Sequence, residues 1–339
     1  MKAPVDNSID KPLVPDGARS SQRRRWLWRF ILASLIFLIV FEVMLRTVLG
    51  LGHPLLYQFD ADCGYLPKPN QHLRRFFCIN DINQFGMRSP SIQPRKPKDE
   101  FRIFFLGDSV LFGTTHVDQS KICTSILQRE LPGQLHRPVE VLNASAGGWA
   151  VPNEVGYLHS RGTFNADLVV MVLNTYDIVQ PFNDLIPGEV VELPTRNPPT
   201  AIGEVWSRYV KPRLFHVTTA DRGSSEPVVP DQKAAAASTL EWLEKARQQC
   251  EASGARFAII YTPVVGADFH PLPALLPLRN QLGDWAQSKD VPILDMTEED
   301  SKHPGKEVFF DIVHLNPLGQ EVMARAVEQW SLVKGYGRS

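Results

Sequence analysis

The fold of this chain is constrained most by an alternation of short apolar runs with longer helical stretches over residues 101–335. The apolar runs have the length of buried strands and span residues 102–106, 139–142, 168–173, 256–261 and 291–294. The helical stretches span residues 120–131, 232–252, 275–289 and 317–333. Continuously apolar strands separated by helices are typical of a parallel sheet with helices on both faces. The sequence therefore predicts an α/β domain with a parallel sheet.

An apolar run near the amino terminus predicts a transmembrane helix. At about 1.5 Å per residue, residues 26–49 can cross a hydrocarbon core of roughly 30 Å. Within residues 30–41 the only polar side chain is Ser34. Glu42 and Arg46 lie four residues apart near the far end, where they can pair on one helical face. A cleaved signal peptide and a soluble amphipathic helix are the alternatives, and the lack of a clear small-x-small cleavage motif disfavours the first.

The charges around this run predict its orientation. Residues 23–25 are all arginine, and few basic residues follow the run directly. The positive-inside rule then places the tail in the cytoplasm and the large carboxy-terminal part outside. In a bacterium this means a single-pass protein of the inner membrane with its folded domain in the periplasm. A twin-arginine export signal fits poorly with the residues that flank the arginines.

Changes in composition divide the chain into segments. Residues 1–25 are predicted to be a disordered cytoplasmic tail, residues 26–50 the anchor, and residues 54–100 a cap or linker region with irregular structure or short strands. Residues 101–335 form the α/β domain. Within it, residues 181–230 are rich in proline and break the alternation, which is typical of a functional loop. We expect this insertion to be a lid or to lie on the substrate side.

Composition excludes several classes of protein. The chain has 36 Lys and Arg against 37 Asp and Glu, so it lacks the positive charge of a nucleic-acid-binding protein. Its four cysteines include no CxxC pair and no Cys/His spacing suited to zinc, and we expect neither a metal nor a cofactor. The sequence leaves one or two disulfides open, because Cys78 could pair with Cys123 and Cys63 is the competing partner.

Two separated motifs predict a nucleophile and its base. Ser109 follows the first strand-like run in the sequence Gly107-Asp108-Ser109, at the start of the next helix, where backbone amides favour negative charge. A serine needs a base, and the base needs an orienting group. Asp311 and His314 lie three residues apart before an Asn-Pro helix start. One imidazole nitrogen can therefore bond to the carboxylate while the other faces the serine.

With these motifs in this order, the chain resembles the SGNH, or GDSL-like, hydrolase superfamily over about residues 100–333. Short stretches of the cap region also resemble those of membrane-anchored bacterial members. The resemblance implies a flavodoxin-like α/β sandwich of three layers. It also implies a catalytic triad in which Ser109 is the nucleophile, His314 the general base and Asp311 its partner.

The resemblance further implies an oxyanion hole with the backbone amides of Ser109 and Gly148 as donors, and Gly147 is the neighbouring alternative to Gly148. The family's third block usually reads Gly-x-Asn-Asp, with the Asn side chain as a third donor. This chain has Asn174 in the place of the glycine and Tyr176 in the place of the asparagine. Either side chain could complete the hole, or it has backbone amides alone. The loss of one such donor typically lowers turnover roughly 100- to 1000-fold.

The implied function is that of a serine esterase that cleaves acyl esters, with O-acetyl esters of an envelope or exported polysaccharide as the expected substrate. Its expected partners are an acylated glycan, the membrane through one helix, and machinery for polysaccharide biosynthesis or acylation. Transfer of the acyl group to a glycan by the same triad is one alternative, and a non-catalytic envelope scaffold is another. A lipase acting on membrane lipids would instead prefer long acyl chains.

Overall fold

The structure is a computed structural model. It describes residues 16–93, 95–214, 231–303 and 305–337. Residues 1–15 of the expected tail and residues 215–230 of the insertion lie outside the described residues. In the described part, a long amino-terminal helix is followed by a cap of two β-hairpins and then by an α/β domain.

The amino-terminal helix α1 (Asp16–Thr47) contains the apolar run. Within Arg23–Thr47, a window of 18 residues has a mean hydropathy of 2.2, and by length and composition this helix could cross a membrane. The helix begins before the arginines, so residues 16–25 are helical and the expectation of a disordered segment there is wrong. Once a helix is nucleated, further residues are added at little cost. Glu42 and Arg46 form the predicted ion pair, with 2.6 Å between Arg46 Nε and Glu42 Oε1.

Two antiparallel hairpins form the cap. They consist of β1 (Tyr57–Asp60) with β2 (Gly64–Pro67), and β3 (Gln71–Arg75) with β4 (Cys78–Ile82). The cap packs on the α/β domain through Tyr65, whose hydroxyl donates to the Gly147 carbonyl at 2.9 Å. The indole of Trp149 donates in turn to the Tyr65 carbonyl at 2.7 Å. These two bonds join the first hairpin to the loop that carries Gly148.

Five parallel strands form the sheet of the α/β domain. They are β5 (Phe101–Gly107), β6 (Val139–Ser145), β7 (Leu168–Asn174), β8 (Arg256–Thr262) and β9 (Ile293–Asp295). Their order across the sheet is β6-β5-β7-β8-β9, which is the 2-1-3-4-5 order of flavodoxin-like folds. Every residue of β5 and β7 is buried, as in a sheet covered on both faces. The predicted α/β fold with a parallel, flavodoxin-like sheet is confirmed.

Helices on both faces make the sheet the middle of three layers. They are α2 (Ser109–Phe112), α3 (Cys123–Leu135), α4 (Val151–Arg161), α7 (Gln232–Ala252), α8 (Leu276–Ser288), α9 (Thr297–Ser301), α10 (Gly305–Val308), α11 (Pro317–Gln329) and α12 (Ser331–Lys334). The insertion contributes two further short helices, α5 (Ala201–Val205) and α6 (Lys211–Leu214). Residues of α4, α7, α8 and the cap belong to one core, and residues of α3, α11 and α12 belong to another. Alternate side chains of β5 point to opposite faces, so Phe104 lies in the first core and Phe105 in the second.

The described part of the insertion is irregular over residues 181–200 and helical over residues 201–214. Residues 201–214, here called the insertion helix, comprise α5, a π turn (Trp206–Val210) and α6. Glu42 of α1 accepts hydrogen bonds from the amides of Ala201 at 2.7 Å and Ile202 at 2.9 Å, which places this helix against the end of α1. The first residues of the insertion lie nearer the sheet edge, where the Asn183 side chain donates to the Gly148 carbonyl at 2.6 Å. The helical part therefore begins against the end of α1, and a lid or substrate-side role of the insertion stays a prediction.

All four cysteines are free thiols, so the disulfides that the sequence left open are not formed. Cys123 at the start of α3 is buried in the core. The Cys78 thiol, at the edge of the cap, donates to the His116 carbonyl at 3.2 Å. The Cys63 thiol donates to Asp60 Oδ1 at 3.2 Å. The pairing of Cys78 with Cys123 or Cys63 is wrong because the three thiols lie in separate surroundings.

Candidate active site

The candidate site lies at the carboxyl edge of the sheet, where neighbouring strands end. In the register of the sheet, Gly107 at the end of β5 pairs with Ser145 of β6, and β7 lies on the other side of β5. Ser109 follows β5, Gly148 follows β6, and Asn174 is the last residue of β7. Because the strand order reverses between β5 and β7, their connections separate and leave a crevice, the usual ligand position in such sheets.

Ser109 is the first residue of α2, which follows β5 directly. Asp108 caps this short helix, because its Oδ1 accepts from the Val110 amide at 2.8 Å. The Ser109 side chain is half-buried, and its Oγ lies 3.5 Å from Asp108 Oδ2. The end of a fully buried strand and a capped turn thus hold the serine hydroxyl at the sheet edge.

Asp311 and His314 lie in a tight turn before α11. Asp311 Oδ1 accepts from the backbone amides of Val313 at 2.9 Å and His314 at 2.8 Å. The Phe310 amide donates to the His314 carbonyl at 2.8 Å. Asn316 then caps α11 by accepting from two amides of its first turn. The turn therefore fixes both side chains before substrate is present.

The structure brings the three side chains that the sequence singled out into one row. His314 Nε2 lies 2.9 Å from Ser109 Oγ, although the two residues are 205 positions apart in the chain. His314 Nδ1 lies 2.7 Å from Asp311 Oδ2. Both distances are those of hydrogen bonds. The hydroxyl therefore faces a base, and the base faces an orienting carboxylate.

The charge distribution favours proton transfer to the imidazole. Burial alone would raise the pKa of Asp311, but the hydrogen bonds and charge of His314 outweigh it and lower that pKa to about 2. Burial alone would lower the pKa of His314, but the hydrogen bond and charge of Asp311, with the charge of Asp108, raise it above its usual value. Asp311 is therefore ionised at neutral pH, and an imidazolium that forms on His314 is stabilised.

Gly148 lies in the loop after β6, next to the loop of Ser109. Its φ of 80° is in the left-handed region, and a Cβ here would lie 3.0 Å from the Tyr65 hydroxyl, so both the backbone and the cap require glycine. Among the hydrogen bonds of the described residues, none uses the backbone amide of Ser109 or Gly148 as donor. These two N–H groups can therefore donate to an oxygen that develops negative charge.

Asn174 reaches the site through Asp108. Its Nδ2 donates to Asp108 Oδ2 at 3.0 Å, and its Oδ1 accepts from the Tyr176 amide at 2.8 Å. The Tyr176 ring belongs to the buried core, and its backbone orients Asn174. A carboxamide carries two N–H groups, and Asn174 directs one of them to Asp108.

Three carboxyl groups, those of Asp108, Glu154 and Asp177, are buried close to one another, and the sequence did not predict this cluster. Asp177 Oδ2 accepts from the Asn174 amide at 2.7 Å and so holds the end of β7. Glu154 of α4 is fully buried, and neither of its oxygens has a hydrogen-bond partner among the described residues. Burial raises the pKa of Asp108, Glu154 and Asp177, and mutual repulsion raises the last two further. Burial therefore favours the protonated forms of Glu154 and Asp177.

The described residues were also considered as possible metal ligands. In the part of the chain that the structure describes, no group of three or more His, Cys, Asp or Glu side chains is arranged to hold a metal ion. The groups available at the site are a hydroxyl, an imidazole, a carboxylate and backbone amides, which together suit acyl transfer through a covalent serine intermediate.

The chain was compared with known proteins. No family model and no curated protein matches it. A similar solved structure is a lipase/acylhydrolase from Enterococcus faecalis, with 15% identity, a TM-score of 0.44, and coverage of 69% of this chain and 96% of that chain. An acetylxylan esterase from Geobacillus stearothermophilus has 12% identity, a TM-score of 0.43, and coverage of 73% and 100%. A member of the lipolytic protein G-D-S-L family from Veillonella parvula has 14% identity, a TM-score of 0.39, and coverage of 69% and 98%. These three solved structures are what the chain is similar to, at low sequence identity.

Proposed function

We propose that this protein is a serine ester hydrolase with Ser109, His314 and Asp311 as its catalytic triad. The observation that carries the proposal is the continuous row from Ser109 Oγ through the imidazole to Asp311 Oδ2, with spacings of 2.9 Å and 2.7 Å. An isolated serine hydroxyl is a weak nucleophile, and an adjacent imidazole with its own orienting carboxylate is the usual means of activating it.

The proposed reaction has two halves. Ser109 Oγ attacks the ester carbonyl while His314 Nε2 takes its proton, and Asp311 stabilises the imidazolium. The amides of Ser109 and Gly148 hold the oxyanion, and the Asn174 side chain is the third candidate donor. The tetrahedral intermediate collapses as His314 protonates the leaving alcohol, which leaves an acyl-serine. Water then attacks with His314 as base, and the released carboxylic acid restores Ser109.

We infer a short acyl group, with O-acetyl esters of an envelope or exported polysaccharide as the substrate. Asp311 is half exposed and Gly148 exposed, so the site opens to solvent and can accept an acyl group carried on a large molecule. The apolar α1 supports a single-pass anchor, which with the basic residues before it favours the inner membrane and a periplasmic domain. Polysaccharide biosynthesis or acylation machinery would then be the partner.

The first test measures hydrolysis of p-nitrophenyl acetate by the full chain and labelling by a serine-reactive fluorophosphonate. We expect turnover and one adduct, on Ser109, and we expect both Ser109→Ala and His314→Ala to abolish them without unfolding the protein. His159→Ala, which alters an exposed histidine of α4, is the matched control and should behave as the wild type. Wild-type turnover in His314→Ala would refute the assignment.

The same assay separates the related functions. A soluble oligosaccharide added with the acetyl ester should leave the product as free acetate for a hydrolase, whereas acetylated oligosaccharide would identify a transferase. A preference for octanoyl over acetyl esters would identify a lipase. The absence of both turnover and adduct in folded protein would favour a non-catalytic scaffold.

A further inference from the structure

Exposed apolar side chains gather next to the point where α1 ends. Phe77, at the tip of the β3–β4 hairpin, is 64% exposed, and on the insertion helix Trp206 is 51% and Leu214 61% exposed. Large apolar residues exposed in a group indicate an interaction surface. We call these three residues, with Arg74, Lys211 and Arg213 beside them in the chain, the docking face.

The hairpin tip is fixed at the level of the helix end. The Phe76 amide donates to the Leu49 carbonyl at 2.9 Å. Arg74 Nη1 donates to the carbonyl of Thr47, the last residue of α1, at 3.3 Å. Gly50 permits this approach, because its φ is 68° and a Cβ there would lie 1.8 Å from the Arg74 carbonyl oxygen. Phe77 is therefore held where an apolar helix would leave a bilayer.

The insertion helix begins beside the apolar run of α1, further from the end of α1 than the hairpin tip. Glu42 binds the amides of Ala201 and Ile202, and Arg46 donates to the Pro199 carbonyl at 3.0 Å. At about 1.5 Å per residue, the start of α5 thus lies roughly 7 Å before the end of α1. The first amides of a helix lack partners within it, and here a carboxylate satisfies two of them. The two charged residues of the apolar run therefore allow a second helix to lie at the depth of its last turns.

Buried contacts join these elements into one unit. Glu204 of the insertion helix is 2% exposed and pairs at 2.7 Å with Arg75 of the hairpin, which is 3% exposed. The Gly52 amide donates to Glu204 Oε2 at 2.5 Å. The rings of Phe76 and Tyr209 meet edge to face with centroids 6.4 Å apart. The hairpin tip and the insertion helix therefore move together with the end of α1.

The exposed charges of the docking face are positive. Arg74, Lys211 and Arg213 are exposed, and the single acidic residue among residues 74–78 and 201–214 is the buried Glu204. Basic residues near a membrane surface are attracted by anionic lipids. Aromatic side chains favour the interfacial layer of a bilayer. The basic and the aromatic side chains thus both favour a membrane surface as the partner.

We propose that the docking face rests on the surface of the membrane, with its apolar side chains in the interfacial layer and its basic side chains on anionic phospholipid head groups. The proposal rests on the membrane anchor of the proposed function and goes beyond it, since the α/β domain is then held in one orientation to the bilayer. The face continues the exposed apolar surface of α1, which makes a lipid surface its occupant.

The test uses the full chain in vesicles of phosphatidylcholine and phosphatidylglycerol, with an environment-sensitive fluorophore on single introduced cysteines. Cys78 is replaced by serine in every variant, and the other native cysteines are buried. Phe77→Cys and Trp206→Cys report on the docking face. Ile36→Cys reports on the anchor, and Gln287→Cys on an exposed position of α8.

We expect labels at positions 77 and 206 to emit at shorter wavelength and to be quenched several-fold more by head-group spin-labelled lipid than the label at 287. Iodide in the water should quench the label at 287 most. If iodide quenches 77, 206 and 287 equally while lipid quenches 36, the docking face is refuted and the anchor stands. If iodide also quenches 36, both are refuted. Ester turnover enters none of these readouts, so a failure of the proposed activity is seen separately.

A second measurement removes the apolar contacts. With the label at Leu214→Cys, the double variant Phe77→Ser/Trp206→Ser should become several-fold more accessible to iodide. The matched control is Phe59→Ser, because Phe59 of β1 is 66% exposed and lies outside the docking face. Unchanged accessibility in the double variant, or an equal change in the control, would overturn the proposal.

Discussion

At the scale of single residues, the contact of Asp311 with His314 determines the pH range of the site. Only the neutral imidazole can accept the Ser109 proton, and the carboxylate raises the pKa of His314 above its usual 6.5. Activity should therefore fall as the pH decreases, with a midpoint above 6.5. In Asp311→Asn we expect this midpoint to move to lower pH and turnover to fall by up to about 10⁴-fold, as in other triads.

The pH dependence of kcat/KM checks this prediction. Asp284→Asn on α8, an exposed aspartate, is the matched control and should leave the profile unchanged. An acid limb that stays in place when Asp311 is changed would mean that another group controls the titration.

The bonds of Asn174 predict a loss of stability as well as of turnover. In Asn174→Ala, buried Asp108 loses a donor and the Tyr176 amide loses an acceptor, so the free energy of unfolding should fall by about 1–3 kcal/mol. Urea unfolding measures the change, with Asn280→Ala, an exposed position of α8, as control. Reduced turnover at unchanged stability would instead indicate that Asn174 acts on the substrate alone.

At the scale of elements, the buried pair of Arg75 and Glu204 joins the cap to the insertion helix. Removing one partner of a buried ion pair leaves an uncompensated charge, so Glu204→Ala should lower the free energy of unfolding by about 3–5 kcal/mol. The double variant Arg75→Met/Glu204→Leu should recover most of this loss, because neither charge remains. Glu189→Ala, at an exposed glutamate of the insertion, should have little effect.

Denaturant unfolding of the full chain in detergent measures these changes. Equal stability of Glu204→Ala and Glu189→Ala would show that the pair does not hold the two elements together.

Elements that pack locally were predicted better than elements that depend on distant partners. α7 has the predicted bounds, and four of the five strands extend beyond their apolar runs by at most three residues. The sequence did not predict α4, whose first turn contains Pro152. Proline is tolerated there because the first amides of a helix need no partner within it. The sequence likewise predicted no helix over residues 201–214, because their partners lie on α1, far away in the sequence.

At the scale of the whole molecule, the buried carboxyls predict how stability depends on pH. Folding raises the pKa of Glu154 well above 4.5, so the folded protein binds a proton that the unfolded chain releases. The contribution of the Glu154 carboxyl to the free energy of unfolding is therefore fully present below its unfolded pKa. It is lost as the pH rises towards its folded pKa. Glu154→Gln, which cannot ionise, should therefore leave Tm nearly unchanged at about pH 4 and raise it increasingly towards about pH 8.

Thermal unfolding of both proteins across this range measures the difference. Glu130→Gln, at an exposed glutamate of α3, is the matched control and should show no such trend. A Tm difference that does not change with pH would mean that Glu154 has the same proton affinity in the folded and unfolded chain.

The sequence by itself determined the parallel α/β fold, the apolar helix and the identity of Ser109, Asp311 and His314, because each depends on local periodicity or on a short motif. Only the tertiary structure decided what depends on distant approach. It placed His314 against Ser109, turned Asn174 towards Asp108, kept the cysteines apart and buried Glu154 with no hydrogen-bond partner among the described residues. Side-chain contacts across hundreds of residues follow from how helices and strands pack, and the local sequence carries no record of that packing.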